Sequence, residues 1–69
     1  MAEFIANKVQ KLRGERGATQ EELAAKAGVS RQTVVAIERG RYTPSVLLAL
    51  KIARYFKVSV EDVFFIRHE

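Results

Sequence analysis

Apolar residues recur along this chain at the three- and four-residue spacings of an α-helix, and glycines and hydroxyl residues repeatedly interrupt them. Five helices are predicted. The first covers about residues 4–16, with Ile5, Val9 and Leu12 on one face and Gly17 as the left-handed residue that ends it. Gly14 is a poor helix former inside this stretch and costs about 1 kcal/mol relative to alanine. The second helix, 19–27, opens on Thr19-Gln20-Glu21-Glu22, a capping box in which hydroxyl and carboxylate satisfy each other's amides. It buries Leu23, Ala24 and Ala27 and stops at Gly28. The third, 30–39, follows after only Gly28, Val29 and Ser30, with Val29 turned inward, Ser30 as cap and Gly40 as terminator. A connection that short, opened by glycine, is the spacing of a helix-turn-helix unit. Residues 41–45 form a loop stiffened by Pro44. The fourth helix, 45–56, is capped by Ser45, or else by Thr43 with Pro44 at the first helical position. Ser59 caps a short fifth helix, 59–64, whose Glu61 and Asp62 complement the helix dipole. The tail 65–69 reads as an extended strand or as disordered chain. The expected fold is all-α: one compact five-helix domain over residues 1–69.

A chain of 69 residues buries only about 60% of its unfolded surface, so the core is thin. With no cysteine and one histidine, His68, neither disulfides nor a thiolate metal site can reinforce it, and no metal or cofactor is expected. Helix packing or a partner subunit must supply the stability. The absence of cysteine fits a reducing cytoplasm. The longest apolar run, Val46–Leu50, falls far below the roughly 18 residues of a membrane span. Met1–Ile5 carries no basic stretch followed by an apolar one, so no secretory leader is expected. The net charge of +4 favours polyanions as partners. No glycine-rich phosphate loop and no nucleophile–base pair is visible, and so small a chain has no room for a sizeable pocket, which argues against an enzyme and against a small-molecule ligand.

The third helix carries the chemistry. Val34 and Ile37 share the face that must point to the core. The opposite side presents Gln32, Ala36 and Arg39, with Val35 at its edge and Arg31 at the N-terminal end. Arginine can bond guanine with two prongs and glutamine can do the same with adenine, while valine and alanine fit a thymine methyl in the major groove. Arg31, Gln32, Val35 and Ala36 are therefore the candidate base-reading residues of a duplex-DNA surface. Phosphate contacts need donors on both flanks. Thr19 and Gln20 sit at the start of the second helix, where free amides attract anions. Arg39, Arg41 and Tyr42 lie at the other end, and Ser30 and Thr33 complete the candidate phosphate-binding set.

The run from Gly17 through Thr19-Gln20-Glu21-Glu22-Leu23-Ala24, Ala27-Gly28-Val29-Ser30-Arg31-Gln32-Thr33-Val34 and Ile37-Glu38-Arg39-Gly40 resembles the Cro and phage-repressor (XRE) helix-turn-helix family. The likeness continues through Pro44-Ser45, Ile52-Ala53 and Val58-Ser59-Val60-Glu61-Asp62, covering about Lys8 to Phe64. It implies a five-helix fold without cofactor that binds palindromic operators as a dimer. It further implies that Gln20 bonds a phosphate and buttresses the third helix, that Arg31 and Gln32 read bases, and that Arg13 and Glu38 form a partly buried ion pair.

The fourth helix has more apolar surface than one face needs. Val46, Ala49, Leu50, Ala53 and Phe56 form the expected inner stripe, and Leu48, Ile52 and Tyr55 form a second. That second stripe, joined by Phe64, Phe65 and Ile66, is read as a homodimer interface in which the tail strand pairs across a two-fold axis. A broad core contact is the other reading. A dimer would set two recognition helices about 34 Å apart, one turn of DNA. The resulting expectation is a cytoplasmic homodimeric transcriptional regulator with no ligand-sensing domain, governed by its concentration or by a partner protein; an autoregulatory switch, a restriction–modification controller and a toxin–antitoxin component fit equally. The alternative is a protein-interaction module of the same fold that does not read DNA.

Overall fold

A computed structural model describes residues 2–69; Met1 and any role for it lie outside the described residues. The elements run β1 (Glu3–Asn7), α1 (Val9–Arg16), α2 (Gln20–Ala27), α3 (Arg31–Glu38), α4 (Val46–Phe56), α5 (Val60–Val63) and β2 (Phe64–His68). Hydroxyl side chains open the central helices. Thr19 Oγ1 accepts from the Glu22 amide at 3.0 Å, Ser30 Oγ from the Thr33 amide at 3.2 Å, and Ser45 Oγ from the Leu48 amide at 3.1 Å. Ser45, not Thr43, is thus the cap of α4. Between α2 and α3 the chain reverses through Gly28, whose φ of 76° any side chain would strain.

The first expected helix is divided in the structure. Residues 4–7 belong to β1, and the helix starts only at Val9. Asn7 explains the division: its Oδ1 accepts from the Val9 amide at 3.1 Å and so starts the helix late. The segment before it finds a better partner in the tail. β1 and β2 pair antiparallel, with Phe4 opposite Arg67, Ile5 opposite Ile66 and Ala6 opposite Phe65. The ladder continues at both ends through Lys8 N–H to Val63 C=O (2.9 Å) and Glu69 N–H to Ala2 C=O (3.0 Å). The tail is therefore a strand, and within the chain it pairs with β1. Lys8 and Arg67 both lie over the Phe65 ring, at 5.7 and 5.6 Å from its centre.

The core is one cluster drawn from every helix: Val9, Leu23, Ala24, Ala27, Val34, Ile37, Leu48, Ile52, Ala53, Phe56 and Val63. The alanines let α2, α3 and α4 approach closely. Here the phase of the fourth helix is corrected. Leu48 and Ile52, expected at a dimer surface, are 7% and 0% exposed, and Tyr55 is half-buried. Val46 and Leu50, expected inside, are 77% and 50% exposed. Both stripes satisfy helical periodicity, and the Leu48–Ile52–Phe56 side is the one that meets the rest of the core.

Gly14 lies in α1 with ordinary helical backbone, and a Cβ there would meet nothing within 4 Å. Gly14→Ala should therefore stabilise the protein by about 1 kcal/mol, raising Tm by roughly 4–8 °C for a domain of this size. Thermal unfolding followed by circular dichroism measures this directly.

Candidate nucleic-acid interface

The polar framework of the site begins at Glu38, the last residue of α3. Its side chain is 4% exposed, and that of Arg13 is 17% exposed. Arg13 Nε donates to Glu38 Oε2 at 2.8 Å and Arg13 Nη2 to Oε1 at 3.2 Å, a two-pronged pair that fixes direction as well as distance. The third guanidinium nitrogen donates to the Ala18 carbonyl at 3.1 Å. Gln20 Nε2 donates to Glu38 Oε1 at 3.0 Å. One carboxylate thus holds side chains from α1 and α2 against the end of α3. Burial pushes the Glu38 carboxyl up, but the hydrogen bonds from Arg13 and Gln20 and the Arg13 charge outweigh it and hold the group below its ordinary value.

Asn7 adds a second tie, and the sequence reading missed it. Its Nδ2 donates to the Ile37 carbonyl at 2.9 Å, joining the end of β1 to the C-terminal turn of α3. An asparagine just before a helical run was the available signal. The helical spacing of Ile5, Val9 and Leu12, which spans Asn7, masks that signal.

With its base pinned, α3 turns its outer face to solvent. A groove of about 390 Å³ is lined by Gln20, Arg31, Gln32, Val35, Ala36, Arg39 and Arg41. Arg31, Gln32, Arg39 and Arg41 are exposed, while Val35 and Ala36 are half-buried on the groove floor. Arg41 reaches this position because the chain turns at Gly40, just past α3: the Gly40 amide bonds Ile37 C=O at 3.0 Å and the Arg41 amide bonds Ala36 C=O at 2.9 Å, turning the chain back beside the helix. Arg31 Nε also lies 3.5 Å from Glu21 Oε2, and both side chains are well exposed.

The remaining candidates stand apart from this groove. Thr19 is engaged in its capping box: its amide donates to Glu22 Oε1 at 2.8 Å, and the bonds from Thr19 hold the Glu22 carboxyl below its usual value. The first intrahelical bond of α2 runs from the Leu23 amide to Thr19 C=O, so the Gln20 and Glu21 amides precede the ladder at that helix start. The Ser30 and Thr33 hydroxyls lie 3.1 Å apart and bond each other. Tyr42 is 47% exposed on the loop after α3. Among the described residues no group of three or more His, Asp or Glu gathers as for a metal ion, and no helix is long and apolar enough to cross a membrane.

The helix-turn-helix family matches residues 9–63 of this chain. An uncharacterized HTH-type transcriptional regulator of Methanocaldococcus jannaschii is 55% identical over 60 residues, covering 87% of this chain and 91% of the relative. YgzD of Bacillus subtilis, described in the same words, is 54% identical over 65 residues, covering 94% and 98%. Among solved structures, the restriction–modification controller protein C.AhdI from Aeromonas hydrophila superposes with a TM-score of 0.75 at 31% identity, over 80% of this chain and 83% of that one. SinR, the master regulator for biofilm formation, solved in complex with DNA, superposes with a TM-score of 0.72 at 34% identity, over 78% and 87%.

A carboxyl held below its ordinary value adds stability that is fully present above its unfolded value of about 4.3 and is lost as pH falls through the lower folded value. Glu38→Gln should therefore destabilise the protein at neutral pH by roughly 1–3 kcal/mol, between the cost of an exposed and a buried pair. The gap from the unsubstituted protein should narrow in acid. Urea unfolding at neutral pH and again well below the carboxylate range reads both; a gap of constant size would contradict the assignment.

Proposed function

Because the chain belongs to the XRE-type helix-turn-helix family, we propose that it is a cytoplasmic transcriptional regulator that binds duplex DNA by laying α3 in the major groove. The observation that carries this reading is the open groove along the outer face of α3, where arginines and a glutamine surround two small apolar side chains and no other element covers them. The groove residues match the chemistry of base edges. Arg31 offers a two-pronged donor, Gln32 a paired donor and acceptor, and Val35 and Ala36 offer methyl contacts. Arg39 and Arg41 stand where a phosphate strand would run, with Gln20 and the α2 start on the opposite flank. Thr19, Ser30, Thr33 and Tyr42 extend the phosphate-contacting rim. SinR, which shares this fold, has been solved with DNA bound.

In this reading the protein acts as a homodimer on a two-fold operator. With Leu48 and Ile52 committed to the core, the pairing surface we assign is the projecting strand pair. There Phe4, Ile5 and Ile66 are 45%, 36% and 60% exposed, beside the half-buried Phe64 and Phe65.

Selection from a random duplex pool should return a palindromic consensus with half-sites about one helical turn apart. Log affinity should fall linearly with log salt, by roughly 0.9 per phosphate contacted. Arg31→Ala and Gln32→Ala should each cost about 1–3 kcal/mol on the consensus and relax preference at one base position, whereas Arg41→Ala should weaken all sequences alike and flatten the salt slope. Ile66→Asp should shift the solution mass toward the monomer. No duplex binding at low salt would sink the DNA reading; a monomeric native protein would sink the dimer alone.

A further inference from the structure

The outward face of α4 is unusual for a helix in so small a protein. Val46, Leu47 and Leu50 are 77%, 64% and 50% exposed, although the same helix already buries Leu48, Ile52, Ala53 and Phe56. Leu47, Leu50, Lys51 and Arg54 stand at i, i+3, i+4 and i+7, one row along the helix, and line a groove of about 230 Å³. An adjoining groove of about 320 Å³ is lined by Lys26 of α2 with Lys51, Arg54 and Tyr55. The row is thus apolar toward the start of α4 and cationic toward its end. No carboxylate lines either groove, and Lys26, Lys51 and Arg54 have no ion-pair partner among the described residues.

Three occupants are conceivable, and the chemistry separates them. Duplex DNA would use the cations but leave the leucines against water, and these grooves share no residue with the arginine-lined groove on α3. A second copy related by a two-fold axis presents the same residues, so it could cover the leucines but would bring no carboxylate of this face to Lys26, Lys51 and Arg54. A partner helix with an apolar stripe and carboxylates at one end satisfies both halves of the row. Arg54, in the last turn, also complements the α4 dipole, but that role gives no reason for exposed leucines at 47 and 50.

We propose that the outer face of α4 is a docking surface for an acidic amphipathic helix of another protein, which lays apolar side chains on Val46, Leu47 and Leu50 and carboxylates over Lys26, Lys51 and Arg54. The surface is independent of the α3 groove, so a partner there can act on a DNA-bound regulator. The proposal does not depend on the DNA reading.

The test uses the full chain and two pools of short, fluorescently labelled helical peptides. Each has leucine at i, i+4 and i+7; one carries glutamates on the flanking positions and the other lysines. The acidic pool should bind at least about tenfold more tightly than the basic pool. Leu47→Ser with Leu50→Ser should cost about tenfold in peptide affinity while leaving duplex affinity and solution mass unchanged. Lys51→Glu with Arg54→Glu should invert the preference between pools. Equal binding of both pools, or of neither, overturns the proposal. So does competition between duplex DNA and the acidic peptide, which would assign the cations to DNA, and so does a fall in mass of the leucine variant, which would assign the face to a second copy. Duplex binding measured without peptide reports on the α3 groove separately.

Discussion

The Glu38 carboxylate is the constraint on which the rest of the molecule is arranged. A nearly buried anion is costly unless donors surround it, and here the donors come from different parts of the chain: Arg13 on α1 and Gln20 at the start of α2. Arg13 also ties down the loop carbonyl of Ala18. The pair adds modest net stability, because desolvation offsets most of its attraction. Its larger effect is geometric. It ties α1 and the start of α2 to the end of α3, and so helps set which side of α3 is left outside.

Asn7 makes the same end of α3 doubly held. The Ile37 carbonyl accepts from Asn7 and from the Gly40 amide, one residue before Glu38. The polar ties therefore gather at the C-terminal turn of α3, while its first turn, with Arg31 and Gln32, carries only the Ser30 cap and the loose approach of Glu21. A helix fixed at its base and free at its tip can hold its direction while its leading side chains adjust to what they meet. Gln20 belongs to both halves of this design: it bonds Glu38 behind α3 and lines the groove in front of it.

The strands at the two chain ends and the outer face of α4 are the features that the helix-turn-helix core does not require. Two strands alone are marginal in water. Here they are anchored by Lys8 N–H to Val63 C=O at one end, by Asn7 to α3, and by cations over Phe65. They leave Phe4, Ile5 and Ile66 outside, while α4 leaves Val46, Leu47 and Leu50 outside. Apolar surface kept in water at two separate places suits a molecule that meets more than one partner.

Local chemistry alone placed the starts of α2, α3 and α4, because a cap acts within four residues of where it is written, whereas the fifth helix, expected to reach 64, stops at Val63 where β2 begins. Thr19, Ser30 and Ser45 open their helices by bonds that need nothing from the rest of the chain. The outer face of α3 was legible for a related reason: Val34 and Ile37 leave little choice of inward side. Contacts distant in sequence decided the rest. Residues 4–7 carry a helical pattern, and only the tail sixty residues away makes them a strand. α4 carries two apolar stripes of equal periodicity, and only the position of the surrounding helices selects Leu48 and Ile52 for the core. Periodicity shows that a face is apolar; which apolar face is buried depends on the surface it is packed against.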